Sequence, residues 1–240
     1  MRLYGKNPVL ERLKANPRTI LRIFVQEGHV DSGYIKKKAS KWGIAACSIP
    51  QTKMLKLSRS INSQGVLAEV EDFQYADYQE LLTLAQEKKT SLVFLDSLMD
   101  PQNLGAIIRS LACLGDFAVV LPKKDSVDMT EAVFRVSSGG DNYVPVAKVA
   151  NFVQAISEAK KRGLMIAGAV VDEGQDLLTT RFPFPLGLVV GSEQKGIREI
   201  VRNQLDLKIT IPMKQSRMSF NVAQATSILC YEITRQKKQS

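Results

Sequence analysis

From Ser91 onward, short apolar runs alternate with amphipathic segments, and this alternation constrains the fold more than any other feature of the chain. The apolar runs predict strands and the intervening segments predict helices. We expect strands at 92–95, 117–121, 143–146, 164–170, 186–190 and 207–211, and helices around 104–114, 128–137, 150–162, 195–203 and 220–236. This order predicts an α/β fold with a mostly parallel sheet covered on both faces. Such sheets bind ligands at the carboxyl ends of their strands, so the loops after Leu95, Val190 and Ile211 are candidate binding loops.

The amino-terminal residues predict a smaller α/β unit. A helix can begin at Asn7-Pro8, strands are expected at 20–25, 44–49 and 65–70, and Asp31 or Ser32 can cap a lysine-rich helix that extends to Trp42. Residues 74–90 form a polar connection with a short helix. The sequence therefore predicts a small domain at 1–73, a linker at 74–90 and a larger domain at 91–240.

The charge of the chain favours a polyanionic partner. Lys and Arg total 33 against 24 Asp and Glu, which gives a net charge of +9. A positive charge favours polyanions, but charge alone does not distinguish a nucleic-acid-binding protein from other basic proteins. The basic side chains of the small unit either contact phosphates or form a solvated face; they are Arg18, Arg22, Lys36, Lys37, Lys38 and Lys41. We expect Trp42 to pack in the core rather than to stack on a base.

Several classes of protein are disfavoured by composition. Three widely spaced cysteines do not form a disulfide framework, and the single histidine leaves no Cys/His cluster for a metal. The first residues lack a signal-peptide core, and no window reaches the roughly 20 apolar residues of a membrane span. We therefore expect a cytoplasmic protein with neither a metal nor a membrane partner.

Two of the three candidate loops allow an ordinary structural interpretation. In the loop after Leu95, Asn103 is placed to cap a helix, with Arg109 six residues further along it as a surface side chain. In the next loop, Gly191 and Gly196 bracket four residues as in a phosphate-binding Walker loop. Ile197 and the residue after it replace the required Lys and Ser/Thr, which disfavours nucleotide binding with magnesium. Glu193 can simply favour a helix amino terminus.

The third loop is less ordinary. Ser219 is a natural helix cap, which would place Asn221 at the second helical position. Asparagine is unfavourable there unless its amide has another role, so Asn221 is a candidate functional residue.

Taken together and in this order, the three loops resemble the motifs of the SpoU (TrmH) family of SPOUT RNA methyltransferases. The resemblance is carried by Asp100-Pro-Gln-Asn-Leu-Gly-Ala-Ile-Ile-Arg109, Gly191-Ser-Glu-Gln-Lys-Gly196, Ile211-Pro-Met213 and Ser219-Phe-Asn-Val222. The start Tyr4-Gly-Lys-Asn-Pro-Val-Leu10 and the segment Ser63-Gln-Gly-Val66 resemble the amino-terminal substrate-binding domain of the longer members. The resemblance therefore implies that 1–73 is an RNA substrate-binding domain and that 91–240 is the catalytic domain.

The resemblance implies S-adenosyl-L-methionine-dependent methylation of a ribose 2′-hydroxyl in RNA, with a guanosine of 23S rRNA favoured and tRNA or another base left open. It also implies a trefoil-knotted catalytic domain and a homodimer with active sites at the interface. Its implied catalytic or substrate-binding residues are Asn103, Arg109, Glu193, Ser219 and Asn221. Its implied cofactor-binding residues are Gly191, Gly196, Ile211, Met213 and Phe220.

Three departures from the family pattern and two rival functions stay open at this stage. Gln102 stands where His is frequent, Phe220 replaces Leu, and Ala223 replaces a frequent Ser, which puts one hydroxyl hydrogen bond in doubt. Arg109 could act as a base or could stabilise charge. The rivals are a catalytically inactive RNA-binding factor on the same fold and a nucleotide-binding enzyme that uses the turn from Gly191 to Gly196.

Overall fold

The computed structural model describes residues 1–59, 62–214 and 218–239 and divides the chain into two compact units. The first unit consists of Met1–Gln74 and Met129–Tyr143, and the second of Tyr75–Asp128 and the residues from Val144 onward. No sequence pattern indicated that residues 129–143 belong to the first unit. The functional division into 1–73, 74–90 and 91–240 stays a prediction.

Strands and helices alternate along most of the described residues. The strands are β1 (Arg2–Tyr4), β2 (Ile20–Gln26), β3 (Ala46–Ile49), β4 (Val66–Val70), β5 (Ser91–Asp96), β6 (Phe117–Pro122), β7 (Val146–Val149), β8 (Met165–Ala169), β9 (Gln175–Asp176), β10 (Leu186–Gly191) and β11 (Leu207–Thr210). The helices are α1 (Lys6–Ala15), α2 (Ser32–Ser40), α3 (Gln51–Leu57), α4 (Tyr78–Lys88), α5 (Pro101–Leu114), α6 (Glu131–Ser137), α7 (Phe152–Lys161), α8 (Glu199–Arg202) and α9 (Val222–Lys237). Short 3-10 turns occur at Pro17–Thr19 and Gly140–Asn142.

The first unit is built on a small mixed sheet with the order β1-β4-β2-β3 in the described residues. Strand β4 is antiparallel to both β1 and β2, and β2 is parallel to β3. Its core cluster consists of Tyr4, Phe24, Ile49, Met54 and Leu67. Neither β1 nor α3 was expected from the sequence.

The second unit confirms the predicted α/β class. Its seven-stranded sheet has the order β7-β6-β5-β10-β8-β11-β9 in the described residues, and each of these pairings is parallel. Every residue of β5 and β6 is buried, which requires cover on both faces because strand side chains alternate. Strand β7 begins at Val146, three residues later than expected, just after Pro145, which has no amide hydrogen to donate to a ladder. No helix of the described residues is both long and apolar enough to cross a membrane.

A buried ion pair connects the two segments of the first unit. Nη2 of Arg12 on α1 lies 2.6 Å from Oδ2 of Asp141, and both side chains are buried. The Ser137 hydroxyl donates to the other carboxylate oxygen at 2.9 Å, and Nη1 of Arg12 donates to the Thr19 hydroxyl at 3.1 Å. Because a buried charge is costly without its partner, this pair fixes residues 129–143 against α1.

We expect Asp141→Ala to lower the free energy of unfolding by about 3–5 kcal/mol, because the guanidinium of Arg12 would stay buried without a counter-charge. Urea unfolding followed by circular dichroism measures this change. The control is Asp72→Ala in the same unit: that carboxylate side chain is 85% exposed, and its loss should cost at most about 1 kcal/mol. Equal effects of the two substitutions would show that the buried pair does not stabilise the unit.

Candidate active site at the carboxyl edge of the parallel sheet

A pocket of about 340 Å³ opens in the second unit where β8, β10 and β11 end. Its volume is within the roughly 300–1,000 Å³ typical of small-molecule sites. Its position is the one at which parallel sheets bind ligands. All five residues expected to bind a cofactor line it, namely Gly191, Gly196, Ile211, Met213 and Phe220.

A closed turn between the two glycines forms one wall of this pocket. The backbones of Ser192 and Gly196 exchange hydrogen bonds of 3.1 and 2.8 Å. A Cβ added to Gly191 would lie 2.0 Å from the carbonyl carbon of Gly196, so only glycine allows the turn to close. Gly196 itself has a φ of 65°, in the left-handed region. Helix α8 begins only at Glu199, so the expected role of Glu193 at a helix amino terminus is wrong.

Three side chains meet beside this turn, one from the first turn of α5 and two from loops. The Nδ2 amide of Asn103 donates to Oε1 of Glu193. The Nδ2 amide of Asn221 donates to the same Oε1 at 2.9 Å and to Oδ1 of Asn103 at 3.1 Å. This cluster, Asn103–Glu193–Asn221, joins the loops that follow β5, β10 and β11.

Two predicted helix caps are wrong, and both corrections concern this cluster. Asp100, not Asn103, caps α5 by accepting from the amide of Gln102 at 2.8 Å. Asn221, not Ser219, caps α9 by accepting from the amide of Ala223 at 2.9 Å. The donor of this capping hydrogen bond is the backbone amide of Ala223. The bond therefore does not depend on the side chain at position 223, where many family members have Ser.

The remaining two predicted catalytic residues lie outside the hydrogen-bonded cluster. Ser219 is exposed and lines the pocket. Arg109 is exposed on α5 and forms no hydrogen bond or ion pair within the described part of the chain. Six helical residues separate it from Asn103, which corresponds to about 9 Å and about 240° of rotation. A single chain thus brings Asn103, Glu193 and Asn221 together but leaves Arg109 apart.

Sequence reasoning missed a carboxylate that anchors the second loop. Asp96 ends β5 and is fully buried. Its Oδ1 accepts from Nε and Nη2 of Arg198, each at 2.7 Å, and its Oδ2 accepts from the Arg198 amide at 2.9 Å. An acidic residue directly after a wholly apolar strand was the available signal. These three contacts, two of them from the charged guanidinium, hold the loop that follows the Gly191 turn.

A second, larger cavity of about 810 Å³ lies beside the first pocket. Residues 192–195 line both this cavity and the first pocket. The further lining side chains include Ser97, Met99, Asp100, Asp125 and Arg198. Glu193 therefore lines both the pocket and the cavity.

Comparison with known proteins matches the whole length of the chain. The profile of the SpoU rRNA methylase family matches residues 90–231, and a profile described as RNA 2′-O ribose methyltransferase substrate binding matches residues 2–76. A Bacillus subtilis protein named as a TrmH family tRNA/rRNA methyltransferase is 33% identical over 237 residues, covering 97% of this chain and 94% of its own. A Staphylococcus aureus protein of the same name is 32% identical over 239 residues, covering 98% and 96%.

Solved structures share the fold. The SpoU methyltransferase AviRb from Streptomyces viridochromogenes, in complex with AdoMet, superposes with a TM-score of 0.82 at 20% identity, covering 100% of this chain and 91% of its own. The A. aeolicus TrmH/SpoU tRNA modifying enzyme superposes with a TM-score of 0.57 at 27% identity, covering 68% and 85%. The profile match over residues 90–231 and the full-length relatives together establish that this chain belongs to the SpoU rRNA methylase family of RNA methyltransferases.

Proposed function

We propose that this protein transfers the methyl group of S-adenosyl-L-methionine to a ribose 2′-hydroxyl of structured RNA in the cytoplasm, with a guanosine of 23S rRNA as the target. The observation that carries the proposal is the adjacency of the 340 Å³ pocket and the Asn103–Glu193–Asn221 cluster. Membership of the SpoU family supports the reaction class, and the AdoMet-bound structure of AviRb supports the cofactor.

The lining of the pocket suits an amphipathic cofactor. Apolar side chains from β10, β11 and the third loop, among them Val190, Ile209 and Phe220, can enclose a flat ring, while the turn at Gly191 and the loop at Ile211 present backbone groups. When bound, S-adenosylmethionine supplies a methyl group on a cationic sulfur, which is already a strong electrophile. The protein's own task is therefore to position and activate the ribose oxygen.

Arg109 is the residue to which we assign that activation. A guanidinium hardly loses its proton in a protein, which disfavours a role as base. A fixed positive charge beside the 2′-oxygen would instead stabilise the negative charge that develops on it. Asn103 and Asn221 would orient the ribose, Glu193 would hold both amides in place, and Ser219 would contact substrate at the pocket mouth.

We further propose that Arg109 acts on the site of a second copy in a homodimer. Ala106, one turn before Arg109 on α5, lines a shallow depression together with Phe220 and Ile228. Phe220 also lines the cofactor pocket and is 43% exposed. A partner seated on this face would bring its own Arg109 near the pocket. The trefoil knot implied by the resemblance is part of the same proposal.

Gly191→Ala should weaken binding of S-adenosylmethionine by at least about tenfold, because the added Cβ displaces the turn that lines the pocket. Isothermal calorimetry measures the affinity, and circular dichroism verifies the fold. The control is Gly33→Ala, whose added Cβ meets nothing within 4 Å. Unchanged binding in the Gly191 variant would remove the turn from the cofactor site.

Arg109→Ala should slow single-turnover methylation by on the order of 10²–10³-fold while the affinity for the cofactor changes little, since the lost charge acts on the ribose oxygen. Rapid-quench assays with labelled cofactor measure the rate. Arg181→Ala, which removes another exposed arginine of the second unit, is the control. A near-normal rate in the Arg109 variant would exclude it from the mechanism.

Mixed dimers test whether Arg109 acts across the interface. If it does, a dimer of one Arg109→Ala chain and one Gly191→Ala chain has one intact site, assembled from the pocket of the first and the arginine of the second. Co-expression with two affinity tags isolates this species, which should recover about half of the activity per dimer. No recovery would place Arg109 in its own chain's site.

The target is tested on RNA from a strain that lacks the protein. Loss of one 2′-O-methyl guanosine from 23S rRNA, restored by the wild-type gene and not by the Arg109→Ala variant, is the expected result. Loss of a tRNA methylation instead would keep the reaction and overturn the target.

A further inference from the structure

The first unit carries a groove of about 370 Å³ between α1 and α2 that is separate from the catalytic loops. Leu10 and Leu13 contribute apolar surface from α1. Tyr34 of α2 and Trp42, two residues beyond its end, line the groove from the other helix. The groove therefore combines an aliphatic side with an aromatic side.

Both aromatic side chains are open to solvent. Trp42 is 53% exposed and Tyr34 is 52% exposed, so the expectation that Trp42 packs in the core is wrong. Helix α2 buries Ile35 and Ala39 instead, and Trp42 lies past its last residue. Large aromatic faces left in water beside an apolar groove are typical of a ligand surface.

Cations surround these aromatic faces. Tyr34, Lys38 and Lys41 follow one another at helical spacings of four and three residues, so they lie along one side of α2 and its end. The Lys38 ammonium lies 5.6 Å from the centre of the Tyr34 ring. From α1, Lys14 lines the groove as well.

The acid that lines the groove does not cancel this charge. Glu11 accepts a hydrogen bond of 2.6 Å from the hydroxyl of Tyr143, and the same oxygen lies 3.7 Å from Nζ of Lys14. Three lysines against one engaged carboxylate leave the groove with a net positive charge. Such charge attracts a polyanion, while the aromatic faces require a flat ring.

We infer that this groove binds an unpaired nucleotide of RNA, with its base stacked on Trp42 and Tyr34 and its neighbouring phosphates neutralised by Lys14, Lys38 and Lys41. A paired base would keep its faces stacked within the duplex and could not contact the rings, so the ligand is a loop, bulge or single strand. The inference deepens the proposed function and rests on it in taking RNA as the substrate.

The only tryptophan of the chain lies in this groove, so its fluorescence reports directly on stacking. The full-length protein is titrated with a single-stranded RNA oligonucleotide, with a duplex of the same sequence, and with inorganic polyphosphate at equal charge. Single-stranded RNA should quench the emission at saturation, and the duplex and polyphosphate should quench it far less. Equal quenching by polyphosphate, or RNA binding without quenching, would overturn the inference.

Substitutions separate stacking from charge. Trp42→Ala should weaken binding of labelled single-stranded RNA on the order of tenfold, and Trp42→Phe should retain most of the affinity. The control, Leu55→Ala on α3, removes an equally exposed apolar side chain, also 53% exposed. Lys38→Ala should lower the slope of log affinity against log salt by about one, and Lys53→Ala on α3 should not.

The readouts distinguish this inference from the proposed reaction. Anisotropy measures RNA binding without methyl transfer, and calorimetry of Trp42→Ala should show unchanged affinity for S-adenosylmethionine. If methylation is never observed but Trp42→Ala still weakens RNA binding, the groove stands and the reaction falls. If methylation occurs and Trp42→Ala alters neither RNA affinity nor the KM for RNA, the groove is not an RNA site.

Discussion

The site depends on one constraint: loops far apart in sequence can share a pocket only because their strands run parallel and end at the same edge of the sheet. Strands β5, β10 and β11 all do so, and the cluster of Asn103, Glu193 and Asn221 ties their loops together. A carboxylate held by two amide donors has a fixed position before any ligand arrives. Such preorganisation lowers the cost of arranging polar groups during a reaction.

Two further contacts make this convergence possible. At Gly191 the chain passes so close to Gly196 that a side chain would collide with the backbone. A few residues later, the buried carboxylate of Asp96 holds both the amide and the guanidinium of Arg198. Between these fixed points lie residues 192–195, which line both the 340 Å³ pocket and the 810 Å³ cavity, so a ligand in either space would contact the same loop.

Elements that produce a local sequence pattern, such as an apolar run, could be predicted from the sequence. Buried strands such as β5 and β10 follow from apolar runs, whereas the three-residue β1 is too short to produce one. The caps were wrong because Asp, Asn and Ser all satisfy a helix amino terminus, and only tertiary contacts decide which of them does. Contacts between residues distant in sequence also determine the pairing of Arg12 with Asp141 and the exposure of Trp42. A local sequence pattern carries no information about such contacts.

The lack of an ion-pair partner for Arg109 within the described residues has an electrostatic consequence. Had its guanidinium paired with Glu193 in the same chain, much of its charge would be neutralised, and the pair would have to separate before the arginine could stabilise an alkoxide. Instead the carboxylate of Glu193 accepts from two neutral amides, and Arg109 forms no ion pair within the described residues. In the proposed dimer, an arginine without an ion pair in its own chain would keep its full positive charge available to the reacting oxygen in the partner's site. If Arg109 acts in this way, catalysis would require assembly of the dimer.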